Sequence, residues 1–340
     1  MPQLRKDLTS RTWVVIASER GKRPHDFKVV PDQKKGEGNC PFCPGHEGET
    51  PPEVLALGRG EITPDIPGWK VRIVPNKFPA LSQESVEPSF RDGPLVQRPG
   101  IGVHEVLVES PDHNSTFGTH SQEQMEQILG AMISRIKQLR ADSRLEYVQL
   151  FKNVGRTAGA SLEHTHCQLI ATPIVPPVVD EELRCAHFYY EQYHSCVWCD
   201  LLTKAHENGL VVEASPHFAV ICPFASRVPY QMLILPTRHG GEFESISQNE
   251  LADLAAVLRR TVRKLEVAFN SPPYNLQWHI SPLHEPGDYD RYFHWHLELL
   301  PRLTIAAGFE LGSGIYINPT APELAAQELR EVKIDATTGI

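Results

Sequence analysis

The feature that most restricts how this chain can fold is an order of motifs that occurs twice. Cys40-Pro-Phe-Cys43 is followed by β-branched, strand-like segments over 69–79 and 102–109, by Ser-Pro-Asp-His113, and by an amphipathic stretch over 121–141. A strand-like 146–152 and a loop then lead to His164-Thr-His166. Downstream, Cys196-Val-Trp-Cys199 is followed by strand-like 217–223 and 231–236, by Thr-Arg-His239, and by a second amphipathic stretch over 247–269. A strand-like 275–280 and a further loop end at His294-Trp-His296. Repetition of this kind predicts duplication of one α+β unit, since each copy buries a sheet face beneath a helix in the same way. The halves divide as 1–178 and 179–340, with Pro-rich 173–180 as connector. Ser121 with Gln124, and Ser247 with Glu250, each offer a capping box at a helix start.

Bulk properties exclude several classes. No apolar run reaches the roughly 18 residues that a membrane span needs. The start, Met-Pro-Gln-Leu-Arg-Lys-Asp, has no apolar core of a secretory signal, so the cytoplasm is the expected compartment. Formal charge is −9 with lysines and arginines scattered, which argues against nucleic acid as a partner. A small phosphorylated ligand needs only a few local donors and stays compatible.

Of seven cysteines, four lie in the two Cys-x-x-Cys motifs. Without a secretory signal, such pairs read as metal ligands before disulfides, with a redox pair as the alternative. The repeat supplies the remaining ligands: Cys40, Cys43, His113 and His164 in the first half, and Cys196, Cys199, His239 and His294 in the second. Two thiolates with two imidazoles suit tetrahedral zinc, and four protein ligands mark a structural metal. Cys-Val-Trp-Cys lacks the Pro and Gly that shape a tight knuckle, so the second site is the weaker expectation. Cys167, Cys185 and Cys222 sit among apolar neighbours and read as plain buried thiols.

Between the strand-like 146–152 and His-x-His runs a small-residue loop, Gly155 to Ser161. Small residues admit close backbone approach, and free N–H groups there can cradle an anion. On a strand, His164 and His166 would share a face. With His164 turned to a metal, His166 is left beside the loop as a neutral imidazole able to attack phosphorus. Ser161 and Gln168 would stabilise the anion without quenching the nucleophile. A single strand histidine is more often an ordinary hydrogen-bonded residue, and it is the adjacency to the loop that carries this reading.

These residues resemble the histidine-triad superfamily, specifically its galactose-1-phosphate uridylyltransferase branch. The resemblance rests on His164-Thr-His166-Cys-Gln168 after Asn153 and Gly159-Ala-Ser161, with Cys40-x-x-Cys43, Ser-Pro-Asp-His113, Arg20-Gly-Lys-Arg23-Pro and Asn76-Lys77-Phe-Pro-Ala in support. It implies two tandem histidine-triad-like halves, each an antiparallel sheet with a capped helix, and a homodimer. It further implies that His166 takes UMP from UDP-glucose and passes it to galactose 1-phosphate in a ping-pong cycle. Arg20, Arg23, Asn76, Lys77, Asn153, Gly159, Ala160, Ser161 and Gln168 would hold nucleotide and phosphates. Phe309 and Glu310 would meet the hexose of the neighbouring subunit.

Two departures stand out. Thr165 occupies the middle of a motif that commonly reads His-Pro-His, and so loses proline's rigidity. The run around Phe309, Ile-Ala-Ala-Gly-Phe-Glu-Leu-Gly-Ser-Gly, looks more like relatives that act as ADP-sugar phosphorylases. An adenylyltransferase or phosphorylase with phosphate as acceptor is therefore the second reading. Glu182, His279 and His296 match a second-metal site of some members, for zinc or iron, which would compete with the thiolates for His294. A zinc hydrolase on an open His164/His166 site, and a non-enzymatic nucleotide-binding module, rank behind.

Overall fold

The computed structural model describes residues 1–22, 40–60, 63–84, 87–284 and 289–334. Two short strands, β1 (Gln3–Lys6) and β2 (Trp13–Ile16), pair antiparallel near the start. The first-half strands are β3 (Leu55–Leu57), β4 (Val71–Pro75), a small hairpin of β5 (Phe90–Asp92) and β6 (Leu95–Gln97), then β7 (Val103–Val108), β8 (Tyr147–Val154) and β9 (His166–Thr172). The second-half strands are β10 (Val211–Ala214), β11 (Phe218–Ile221), β12 (Met232–Pro236), β13 (Tyr274–His279) and β14 (His296–Pro301). A last strand, β15 (Tyr316–Asn318), joins β2 in parallel.

Ten of these form one sheet in the order β10-β11-β12-β14-β13-β8-β9-β7-β4-β3. Every pairing within it is antiparallel. Outward from the β8–β13 seam the order reads alike in both directions, which is the motif repeat in three dimensions. The fold is α+β as expected, but the repeats share one sheet, joined where Tyr274 to Gln277 pair with Val154 to Phe151.

Helices α1 (Gln122–Leu139) and α4 (Gln248–Phe269) lie against each other and cover one sheet face. Their apolar positions recur at helical spacing: Met125, Ile128, Leu129, Met132 and Ile136 in α1, and Leu251, Leu254, Leu258, Val262 and Leu265 in α4, all buried. Ser247 and Glu250 make the full reciprocal capping box. At α1 only half of the expected box exists. Ser121 accepts the Gln124 N–H, while the Gln124 amide turns away to the carbonyls of Lys70 and Glu109.

Two helices occupy places read otherwise from sequence. The connector ends at Pro176, because α2 (Pro177–Tyr193) starts on a proline whose fixed φ and missing N–H suit a first helical position. Cys196 caps α3 (Val197–Glu207), so one helical turn, rather than a Pro/Gly knuckle, brings Cys196 and Cys199 together. The chain closes with a short helix α5 (Gly308–Ser313), β15, and α6 (Pro322–Glu331).

Strand alternation sorts the central residues. Leu107, Cys167 and Leu169 point to the helix-covered core. Val106 and Val108, whose register partners are Gln168 and His166, point to the other face, where they pack with Cys40, Phe42 and Trp69. The opposite face therefore carries the histidine and glutamine singled out from sequence.

Candidate active site and metal centres

Cys40, Cys43, His113 and His164 converge there, with one potential ligand atom from each lying within 4.8 Å of the others. His164 Nδ1 is 3.6 Å from Cys40 Sγ and 3.5 Å from Cys43 Sγ, and His113 Nδ1 is 3.4 Å from Cys43 Sγ. Sulfur and nitrogen on a tetrahedron of zinc bond lengths would be separated by about 3.6 Å, so the donor set fits such an ion. On its outer side His164 Nε2 donates to the Ser110 carbonyl at 2.7 Å, which leaves Nδ1 as the free lone pair.

The second set, Cys196, Cys199, His239 and His294, gathers in the same way. Cys199 Sγ lies 3.5 Å from Nδ1 of both His239 and His294. The Cys196 thiol beside it, with the two imidazoles, holds Cys199 well below the ordinary thiol range, the ionised form a metal requires. His239 Nε2 donates to the Asp290 carbonyl at 2.7 Å. Glu182, His279 and His296 form a third, separate group. The expected competition for His294 is thus absent: His294 faces the thiolates, and His279 Nδ1 pairs with Glu182 at 2.8 Å.

His166 opens β9 beside the first cluster, its ring in edge contact with Phe42. Its Nδ1–H donates to the His164 carbonyl at 2.7 Å, and among the described residues Nε2 has no hydrogen-bond partner. Burial pushes the imidazole below its usual pKa, against the pull of that carbonyl, so the ring stays neutral with an available lone pair. Two places further, Gln168 Oε1 accepts from His104 Nε2 at 2.9 Å. Ala80 N–H donates to His104 Nδ1 at 3.0 Å, which puts the imidazole proton on Nε2. The Gln168 amide N–H groups are left to meet an anion. The arrangement is a neutral imidazole lone pair next to an oriented amide donor.

A family model described as "Galactose-1-phosphate uridyl transferase, N-terminal domain" matches residues 1–176. The chain belongs to the galactose-1-phosphate uridylyltransferase family. A second model, described as "Domain of unknown function (DUF4921)", matches residues 107–335. An ADP-glucose phosphorylase of Arabidopsis thaliana is 36% identical over 98% of this chain and 93% of its own. A galactose-1-phosphate uridylyltransferase of Thermotoga maritima is 29% identical over 98% of this chain and 100% of its own. The crystal structure of an ADP-glucose phosphorylase from Arabidopsis thaliana with bound ADP-glucose superposes with a TM-score of 0.85 at 35% identity, covering 98% of this chain and 100% of that one.

Within this uridylyltransferase-family fold the other expected residues fall into three groups. Asn76 lies beside His104, its side-chain oxygen accepting the Phe78 N–H at 2.9 Å. Asn153 accepts from Asn275 Nδ2 at 2.7 Å, and Asn275 donates again to the Ala158 carbonyl at 2.8 Å. The loop from Gly155 to Ser161 is less open than expected. The N–H groups of Ala158 and Ala160 bond the Gly155 carbonyl, and that of Gly159 bonds Arg156, so these three are engaged within the loop. Gly155 and Gly159 take positive φ of 81° and 91°, and a side chain at Gly155 would collide with Pro273. Of the donors expected on the loop, the Gly159 and Ala160 N–H groups are thus engaged, while Ser161 is exposed and the Asn153 amide flanks the loop on β8.

Arg20 is exposed on a 3-10 turn (Ser18–Lys22), and Arg23 falls outside the described residues. Lys77 reaches the Glu49 carbonyl at 3.5 Å on the exterior. Phe309 is half-exposed on α5, where Glu310 accepts the Ala307 N–H at 3.0 Å. Sequence reasoning missed His104 and Asn275. His104 could have been found from its even spacing with Val106 and Val108, which places it on the face of Gln168. Asn275 carries no local signal, since its role depends on pairing across the seam.

Proposed function

We propose that the chain is an ADP-sugar phosphorylase that works through a nucleotidyl-His166 intermediate, with residues 1–178 as its catalytic half. The observation that carries the chemistry is the Nδ1–H bond of His166 to the His164 carbonyl, which holds Nε2 as a lone pair. Nε2 attacks the α-phosphorus of the ADP-sugar, the bond to the bridging oxygen breaks, and the sugar 1-phosphate departs as a stabilised anion. The positive charge formed on the imidazole is shared through Nδ1–H with the carbonyl. Inorganic phosphate then attacks the same phosphorus, releasing ADP and restoring neutral His166. Gln168 and Ser161 donate to non-bridging oxygens, while Asn76 and Asn153 hold the nucleotide.

The adenine preference, which reverses the order reached from sequence, rests on the 36% identity to an ADP-glucose phosphorylase along nearly the whole chain. The Phe309 segment, which in a homodimer would meet the hexose of the neighbouring subunit with Phe309 and Glu310, points the same way. We assign structural zinc to both Cys₂His₂ clusters, since paired thiolates favour it over iron. Bound there, zinc would tie the Cys40 loop to the residue before the nucleophile without taking part in the displacement.

The second reading, UDP-glucose with galactose 1-phosphate, is supported by the full-length Thermotoga relative. Initial rates decide between the two. With ADP-glucose and phosphate, ADP should form at least about tenfold faster than UDP-galactose forms from UDP-glucose and galactose 1-phosphate. The reverse ratio would restore the uridylyl reading.

A further inference from the structure

Behind the nucleophile, on the helix-covered side of the sheet, lies a lysine that the chemistry above does not use. Lys152 is 2% exposed and Glu109 is fully buried. The Lys152 ammonium donates to Glu109 Oε1 at 2.6 Å, to Thr165 Oγ1 at 2.9 Å and to the His166 carbonyl at 3.5 Å, so all three of its protons are engaged. The Thr165 hydroxyl in turn donates to Glu109 Oε2. Cys167 Sγ–H donates to Glu109 Oε1 at 3.0 Å, and the ammonium rests 4.6 Å over the Phe117 ring.

Strand register explains why the lysine is there. The β8–β9 ladder ends at Phe151–Gln168, while on its opposite edge β8 goes on pairing with β13 as far as Val154–Tyr274. The His164–His166 segment is thus left without a β8 backbone partner, just where its geometry matters most. On its other edge it keeps the Val108–His166 pair and the bond from Glu109 N–H to the Thr165 carbonyl at 3.3 Å. The Lys152 side chain reaches over to hold what the ladder does not.

We propose that Lys152, Glu109 and Thr165 are positioning residues that fix the His164–Thr165–His166 peptides, so that the His164 carbonyl stays aligned with His166 Nδ1–H and Nε2 keeps its lone pair. Where proline would restrain this segment through its ring, the chain restrains it through a threonine hydroxyl locked between two buried charges. A buried ion pair is a poor source of net stability, since desolvation offsets most of its attraction. Conformational specificity at the nucleophile is what it contributes here. The inference rests on His166 as the nucleophile, and the test separates the two.

Thr165→Val removes the hydroxyl at constant shape, and Thr165→Ser restores it. On the intact, metal-loaded protein, single-turnover formation of the covalent adduct from ADP-glucose should slow roughly tenfold or more in Thr165→Val. The affinity for the nucleotide sugar should stay within about twofold, and Thr165→Ser should recover most of the rate. In ¹⁵N spectra of histidine-labelled protein, His166 should be the Nδ1–H tautomer in the wild type and a mixture in Thr165→Val. A wild type that forms no adduct would refute the proposed function while the spectra still judge the clamp. An unchanged adduct rate and tautomer in Thr165→Val, or no recovery in Thr165→Ser, would overturn the clamp. Lys152→Met, if folded, should match Thr165→Val.

Discussion

His166 is 6% exposed, and its chemistry follows from that burial and from one backbone carbonyl. Since burial depresses its pKa, the neutral ring persists below the ordinary value of 6.5, and protonation comes only at lower pH. Activity should show the same sign. The acid limb of the adduct-forming rate should fall below pH 6.5, and a limb centred above that value would contradict the burial argument. Stability moves with it: an unfolded imidazole takes its proton near 6.5 while the folded one refuses it, so acidification favours unfolding. His104 is a second residue whose role lies in direction. Without it the Gln168 amide can present oxygen to the phosphate. His104→Ala should therefore slow both half-reactions by about tenfold, the equivalent of one lost hydrogen bond of ~1.4 kcal/mol. Stopped-flow rates at saturating substrate measure this, and unchanged rates would show that Gln168 orients itself.

At the scale of elements, helical and strand periodicity served well where one face is buried and the ends carry caps. The full box on α4 should be worth measuring: Ser247→Ala should lower stability by about 1 kcal/mol in urea denaturation, and an unshifted midpoint would show that the cap contributes nothing. The β-branched runs that became β4, β7, β11 and β12 were legible for the same reason. What escaped had conflicting local signals. Pro176-Pro177 reads as a linker, yet a proline is welcome at the first position of α2. Cys196-Val-Trp-Cys199 lacks knuckle residues, yet a helical turn provides the same spacing. The loop at Gly155–Ser161 was rightly placed by its small residues. Its N–H groups closing on the loop itself was not legible, because that depends on the backbone path.

For the whole molecule, the repeat predicted two alike units but not that they share a sheet, since edge-to-edge pairing of β8 with β13 leaves no trace in local periodicity. The consequence is functional. Through Asn275 the second half holds Asn153 and the Gly155 to Ser161 loop of the first. Its own counterpart of Gln168 is Glu298, which Arg227 and Gln231 occupy at 2.6 Å. The two metal clusters should then be separable. Cys196→Ser should lose one metal per chain and melt at lower temperature yet still form adduct while folded, whereas Cys43→Ser should lose both a metal and the adduct. Emission spectroscopy with thermal melts reads this, and unchanged metal content in either variant would remove the assignment.

The central claim is a covalent bond between His166 and a nucleotide. Intact mass after brief exposure to ADP-glucose, quenched in alkali because phosphorus–nitrogen bonds to histidine are acid-labile, tests it most directly. An adenylyl adduct that appears on the wild type, is absent from His166→Ala, and clears on adding phosphate is the expected result. An adduct that survives in His166→Ala, or turnover without any adduct, would contradict it.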